Sequence, residues 1–247
     1  MTHLSKHNAR GATLVELMVA IAILGLVTAG IFGQLNTATQ RISAEQTKVD
    51  NFDQARDFVD QFFRDINQIG YPNGRMLSFL PANNLPLAQQ DNRLAVGLVK
   101  IDSKSIWFEG DINGTGVVQE VQYQINGSGT CQLCLQRSAI AKVNGTPPLN
   151  QGPADWGTEV NDLITPVIFT YFNAAGAQLI LPPGGADIVN NGPLLASVKT
   201  IHISLTIQNN TVMDPKTGQA LQTSFEGEVS LNNCSMAAVT VPPMSCQ

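Results

Sequence analysis

The chain has 247 residues, 43% hydrophobic and 13% charged, which suits one or two folded domains with a sparsely charged surface. Its net charge of −5, without any run of Lys or Arg, offers no broad electrostatic footprint for nucleic acid. Of three histidines, His3 and His7 stand at the extreme N-terminus, so a Ser/His/Asp or Cys/His arrangement would have to be built around His202.

The first element is a short basic leader carrying Lys6 and Arg10 and ending at Gly11. An apolar run follows from Ala12 to Gly33, broken only by Glu16, and the chain stays uncharged from there to Arg41. A carboxylate inside a membrane-length helix costs a few kcal/mol and is usually functional. An ordinary secretory signal would use Val27-Thr28-Ala29 as its cleavage site, but this run is too long and carries an acid. A plain anchor fits the length, because roughly 22 residues at about 1.5 Å each span roughly 30 Å of hydrocarbon. That reading leaves Glu16 unexplained. A cut after Gly11 frees an amine at Ala12 and makes Glu16 the fifth residue of the mature chain. The ammonium of a neighbouring copy can then neutralise the acid. The same cut removes Lys6 and Arg10, leaving 12 basic residues against 19 acidic ones, a net charge of −7.

These residues resemble the class III signal of type IV prepilins and of the related type II secretion pseudopilins. The matching positions are Gly11, Ala12 and Glu16, with Thr13-Leu14-Val15 and Leu17 completing the hydrophobic stretch. Ala12 departs from the phenylalanine usual in the family. The resemblance implies a prepilin peptidase that cuts after Gly11 and N-methylates Ala12, and an assembly role for Glu16.

The helix is expected to continue past the apolar run. Leu35, Ala38, Ile42, Val49, Phe52, Ala55, Val59, Phe62 and Ile66 recur at steps of three, four or seven, interrupted by Glu45. Gly70 and Pro72 supply the stop. The span from Thr13 to Ile69 reads as one helix of about 57 residues, near 85 Å at about 1.5 Å per residue. Its first half would lie in lipid or a filament core, and its second half would present an apolar stripe to a globular head. Gly25, Gly30 and Gly33 weaken the first half by about 1 kcal/mol each relative to alanine. They read equally as kink points or as close-packing sites between helices.

The remainder reads as strands and turns. Leu94 to Ile101 with Ser105 to Ile112, and Val117 to Ile125 with Cys131 to Arg137, are predicted hairpins. Val167 to Phe172 turns at Asn173 to Gly176 into Gln178 to Leu181. Ile201, Ile203, Leu205 and Ile207 alternate with polar residues, and Leu221 to Leu231 should pair with them across a loop at Asn209 to Gly218. Long loops are expected at 81–92, 144–158 and 182–193.

Four cysteines, Cys131, Cys134, Cys234 and Cys246, lie in the C-terminal half. Beyond a single membrane span they meet an oxidising compartment, so disulfides are favoured over a zinc site of four thiolates, with Cys131–Cys134 and Cys234–Cys246 the preferred pairing. Asp111-Ile112-Asn113-Gly114-Thr115-Gly116 has the opening of a calcium loop, but Gln122 stands where the bidentate acid belongs. A glycine-rich hairpin turn is the better reading. No metal, cofactor or catalytic residue is expected.

Phe63-Arg64-Asp65-Ile66 through Ile69-Gly70-Tyr71, Gly110 to Gly114, Phe169 to Phe172 and Val229 to Asn233 resemble segments of the larger PilW-type minor pilins and J-type minor pseudopilins. The resemblance implies an α+β type IV pilin fold, a long N-terminal α-helix (about 13–69) packed on an antiparallel β-sheet head. It divides the chain into leader (1–11), transmembrane or filament-core half-helix (12–33), amphipathic half-helix (34–70) and periplasmic β-rich head (71–247). The implied function is that of a minor type IV pilin, a structural subunit rather than an enzyme. A type II secretion minor pseudopilin is the alternative, and a membrane-anchored exported binding or enzymatic domain the second. Implied partners are other pilins, prepilin peptidase and the inner-membrane assembly machinery. The implied location is the inner membrane with a periplasmic head, then a surface filament.

Overall fold

A computed structural model describes residues 13–72, 90–126, 133–152, 154–165, 168–214 and 217–232. One helix, α1 (Leu14–Asn67), runs for 54 residues. At about 1.5 Å per residue it is roughly 80 Å long. It ends two residues before the expected limit, where the Gln68 amide donates to the Asp65 and Ile66 carbonyls in a tightened last turn. Gly70 then takes φ 73°, a left-handed conformation that reverses the chain, and a cis Tyr71–Pro72 bond follows.

Among the described residues the head holds two antiparallel sheets. Strands β1 (Leu98–Ile101), β2 (Ser105–Gly110), β3 (Gln119–Asn126), β4 (Cys134–Ala141), β5 (Gly157–Val160) and β7 (Ala186–Asp187) form a sheet in the order β5-β4-β3-β2-β1-β7. Strands β6 (Phe169–Phe172), β8 (Thr200–Met213) and β9 (Ala220–Ser230) form a second, ordered β6-β8-β9. A short helix, α2 (Gly192–Ser197), packs on β1 and β7. The sheets are tied by backbone bonds such as Ile168 N–H to the Ser103 carbonyl, 2.9 Å, and Ser204 N–H to the Ile168 carbonyl, 3.0 Å.

Each predicted hairpin has its counterpart, with shifted ends. The 144–158 loop contains a 3-10 turn at Pro148–Asn150 and the start of β5, and the 182–193 loop contains β7 and the start of α2. Strands of two or four residues are too short to display a period, so their formation depends on neighbours already in place. Strand β8 runs on to Met213 through the expected loop, with a register shift between Asn209 and Met213.

The apolar stripe of α1 is only partly used by the head. Ala55, Phe58, Phe62, Ile66 and Ile69 are buried in a core shared with Tyr123, Phe169, Ile203 and Val229. Phe62 stacks on Phe169 at 5.6 Å and meets Tyr123 edge-on at 5.3 Å. Burying each large side chain contributes about 1.5–3 kcal/mol. Further up the stripe, Leu35, Ile42 and Val49 remain 55%, 66% and 55% exposed, and Phe52, itself 48% exposed, meets Phe225 with ring centres 5.1 Å apart. The head therefore grips the C-terminal part of α1 and leaves most of the rest projecting, buried Ala44 being the exception.

A buried polar contact sits beside this core. Asp65 Oδ2 accepts from Tyr123 Oη at 2.7 Å, from Arg137 Nε at 2.8 Å and from Arg137 Nη2 at 2.8 Å. Gln61 Nε2 donates to Asp65 Oδ1 at 2.6 Å. Burial and the adjacent Asp65 charge push the Tyr123 phenol well above its usual range. The hydroxyl therefore stays protonated and serves as a donor.

Candidate assembly site at the helix N-terminus

Thr13 opens α1 in an extended conformation, φ −77° and ψ 152°, and forms a capping box with Glu16. The Glu16 amide donates to Thr13 Oγ1 at 3.3 Å, and Glu16 Oε2 accepts from the Thr13 amide at 3.1 Å and from its hydroxyl at 3.3 Å. The carboxylate thus sits over the first turn, where unpaired amides and the helix dipole favour negative charge. Glu16 Oε1 accepts no hydrogen bond among the described residues and stays open. The sequence reading singled out Glu16 but passed over Thr13, although Thr-x-x-Glu before an apolar run is the signature of such a cap.

Residues 13–43 of α1 are exposed all round, and Leu14, Leu17, Met18, Ile21, Leu24 and Leu26 are each more than half exposed. By length and composition the helix can cross a membrane. An apolar surface of this extent, uncovered by its own chain, needs lipid or other helices around it. A Cβ added at Gly25, Gly30 or Gly33 would meet nothing within 4 Å, so no intrachain packing accounts for these glycines. Just beyond them, the Thr37 and Thr39 hydroxyls donate to the Gly33 and Leu35 carbonyls at 3.0 and 2.9 Å, one turn back. Such bonds satisfy a hydroxyl within the helix itself and tend to bend it.

Of the other residues singled out, Gly11, Ala12, Cys131, Cys234 and Cys246 lie outside the described residues. Cys134 opens β4, is buried and takes part in a disulfide. Both Asp111 oxygens are taken by backbone amides, Oδ1 from Thr115 at 3.0 Å and Oδ2 from Gly116 at 2.8 Å. Gly114 and Gly116 have φ 67° and 78°. The segment is therefore a closed Asx-type turn between β2 and β3, as the hairpin reading expected. No group of three or more metal-binding side chains occurs among the described residues. His202 stands half-buried on β8, across from Glu228 on β9 and Thr170 on β6.

Residues 6–32 match the prokaryotic N-terminal methylation motif. The methylation motif thus covers Thr13, Glu16 and the exposed apolar turns that follow, and it supports a type IV pilin or pseudopilin. The head agrees in architecture: a long N-terminal helix followed by an antiparallel sheet is an α+β, type IV pilin-like arrangement. Such a motif suggests a structural rather than an enzymatic protein, and implies pilins and a prepilin peptidase as partners in general. No curated protein and no solved structure matches the chain.

Proposed function

We propose that the chain is a minor type IV pilin, cut after Gly11 by a prepilin peptidase, methylated at Ala12 and built into a filament through α1. The observation that carries the reading is Glu16, the single acid in the apolar first half of α1, with one carboxylate oxygen open. In a filament, Oε2 keeps the cap on its own helix while Oε1 accepts the N-terminal ammonium of an adjoining copy. That pairing neutralises a charge otherwise costly in an apolar core and sets the axial register between subunits. Residues 12–33 form the filament-core segment, 34–70 join it to the head, and 71–247 lie in the periplasm before assembly. The large, loop-rich head suits initiation or a filament tip. Cys131–Cys134 and Cys234–Cys246 are the proposed disulfides; Cys134 is buried and disulfide-bonded.

Mass spectrometry of the mature N-terminus tests the processing step. Methylated Ala12 is the expected result, and a chain starting at Gly30 or at uncut Met1 overturns the reading. Glu16→Ala should abolish entry into sheared filaments while leaving cleavage largely intact, whereas an enzyme on a simple anchor would be unaffected. A type II secretion pseudopilin shares the same motif. It is separated by asking whether deletion of the gene blocks protein secretion or surface filaments.

A further inference from the structure

Three ionisable side chains meet inside the head, away from α1. Glu109 on β2 and Glu120 on β3 are register partners, and Lys142 follows directly after β4, its amide bonded to the Val118 carbonyl at 2.9 Å. Their strand neighbours Phe108 and Val121 belong to the core beneath α1, so the alternation of side chains sends this trio to the opposite face of the sheet. There the segment 94–96 covers them: Lys142 Nζ donates to the Leu94 carbonyl at 2.9 Å, and the Val96 amide donates to Glu109 Oε2 at 3.0 Å. The side chains of Glu109 and Lys142 are wholly inaccessible, and Glu120 is fully buried too. Lys142 Nζ lies 2.6 Å from Glu109 Oε2.

We propose that Lys142 and Glu109 condense into an intramolecular isopeptide bond, with Glu120 relaying the proton. The site has the three parts such a reaction needs: an amine held against a carboxyl, a second carboxyl beside it, and no bulk water. Burial raises the Glu109 carboxyl and lowers the Lys142 amine, against their mutual attraction, both in the direction of the neutral acid and neutral amine that a condensation uses. Burial, together with the Glu109 charge and against the Gln122 hydrogen bond, raises Glu120 to about 8, so at neutral pH it carries a proton to give. Gln122 Nε2 holds Glu120 Oε1 at 2.6 Å, while Glu120 Oε2 and Glu109 Oε1 are buried without a hydrogen-bond partner among the described residues. Two orphaned carboxyl oxygens on neighbouring strands are costly in a purely structural ion pair. They are usable in a proton relay.

Neutral Lys142 Nζ attacks Cδ of protonated Glu109. Glu120 gives its proton to the departing hydroxyl, which leaves as water, and takes one proton from the amine nitrogen. The products are an amide between positions 109 and 142, one water, and Glu120 again protonated. Holding the amine against the carboxyl in a buried contact supplies the proximity that a condensation lacks in solution. The bond would tie β2 to the segment after β4 across β3, a covalent brace within the head.

The test is the mass of the chain, purified in detergent from its own membrane, reduced, alkylated and digested with trypsin. The expected result is a branched peptide joining residues 105–137 to the segment carrying Lys142, lighter than its two parts by one water, with no cleavage after Lys142. A free 138–142 peptide at full abundance, or a water loss located elsewhere, overturns the proposal. Lys142→Arg should abolish the branched species. Glu120→Gln should reduce it at least tenfold, and an undiminished yield removes the relay assigned to Glu120. The wild-type digest decides the bond itself whether or not either variant folds.

Discussion

The Tyr123 hydroxyl on β3 donates to Asp65 Oδ2 on the last turn of α1 at 2.7 Å, joining residues 58 positions apart. Arg137 closes the same contact from β4, its guanidinium 5.9 Å from the centre of the Tyr123 ring. The head is thereby oriented on the helix by a directional bond set into a non-directional core. If α1 holds a filament together, this contact governs how the head is presented on its surface.

Asp65→Ala should therefore destabilise the head by about 3 kcal/mol. That is the low end for a broken buried pair, because Arg137 keeps 19% of its side-chain exposure. Tyr123→Phe removes one hydrogen bond and should cost about 1 kcal/mol. Urea unfolding of the detergent-solubilised chain, followed by tryptophan fluorescence, compares them. Equal costs would show that the Asp65 charge is not the anchor.

Gly110 ends β2 where the sheet meets the end of α1. A Cβ there would run into the Gln68 carbonyl, a backbone atom that cannot turn aside. Gly110→Ala is expected to cost about 1–3 kcal/mol through strain. At Gly227 the obstacle is Phe63 Cζ, 2.7 Å from where an added Cβ would sit, the tip of a side chain that can swing aside about χ1. Gly227→Ala should be the milder change in the same unfolding assay.

Glu120 gives a pH dependence with a definite sign. Its carboxyl, raised to about 8 by burial above all, binds a proton more tightly in the folded than in the unfolded chain. Its contribution to stability is thus fully present below the unfolded value near 4.5 and is lost as pH rises towards 8. The slope cannot exceed about 1.4 kcal/mol per pH unit for one proton. Glu109 and Lys142 face the group and Gln122 holds it, so Glu120→Gln isolates its share. The variant should flatten the decline between about pH 5 and 8, and an unchanged profile would assign the slope to other groups.

Calcium should produce no heat on titration into the chain, since Asp111 already spends both oxygens on the Thr115 and Gly116 amides. Asp111→Ala should instead loosen the β2–β3 turn, at a cost of about 1–2 kcal/mol. A measurable calcium affinity in the wild-type chain would show that the turn opens to receive the ion.

Local pattern determined a good deal. The lone acid at position 16, the long helix and its stop at Gly70 were legible because each depends on residues within a turn of one another. The main hairpins were legible for the same reason, through period-two alternation and turn chemistry. The Thr13 cap is equally local, since Thr13 and Glu16 lie within one turn of each other. The stripe from Leu35 to Ile66 marked the apolar face of α1, but period alone names a face and not what covers it. The head covers that face continuously only from Ala55 onward. Tertiary structure decided the rest. Asp65 meets Arg137 across 72 positions, and Lys142 meets Glu109 across 33. Such meetings depend on sheet register, and a shift of one residue would turn every one of those side chains to the other face.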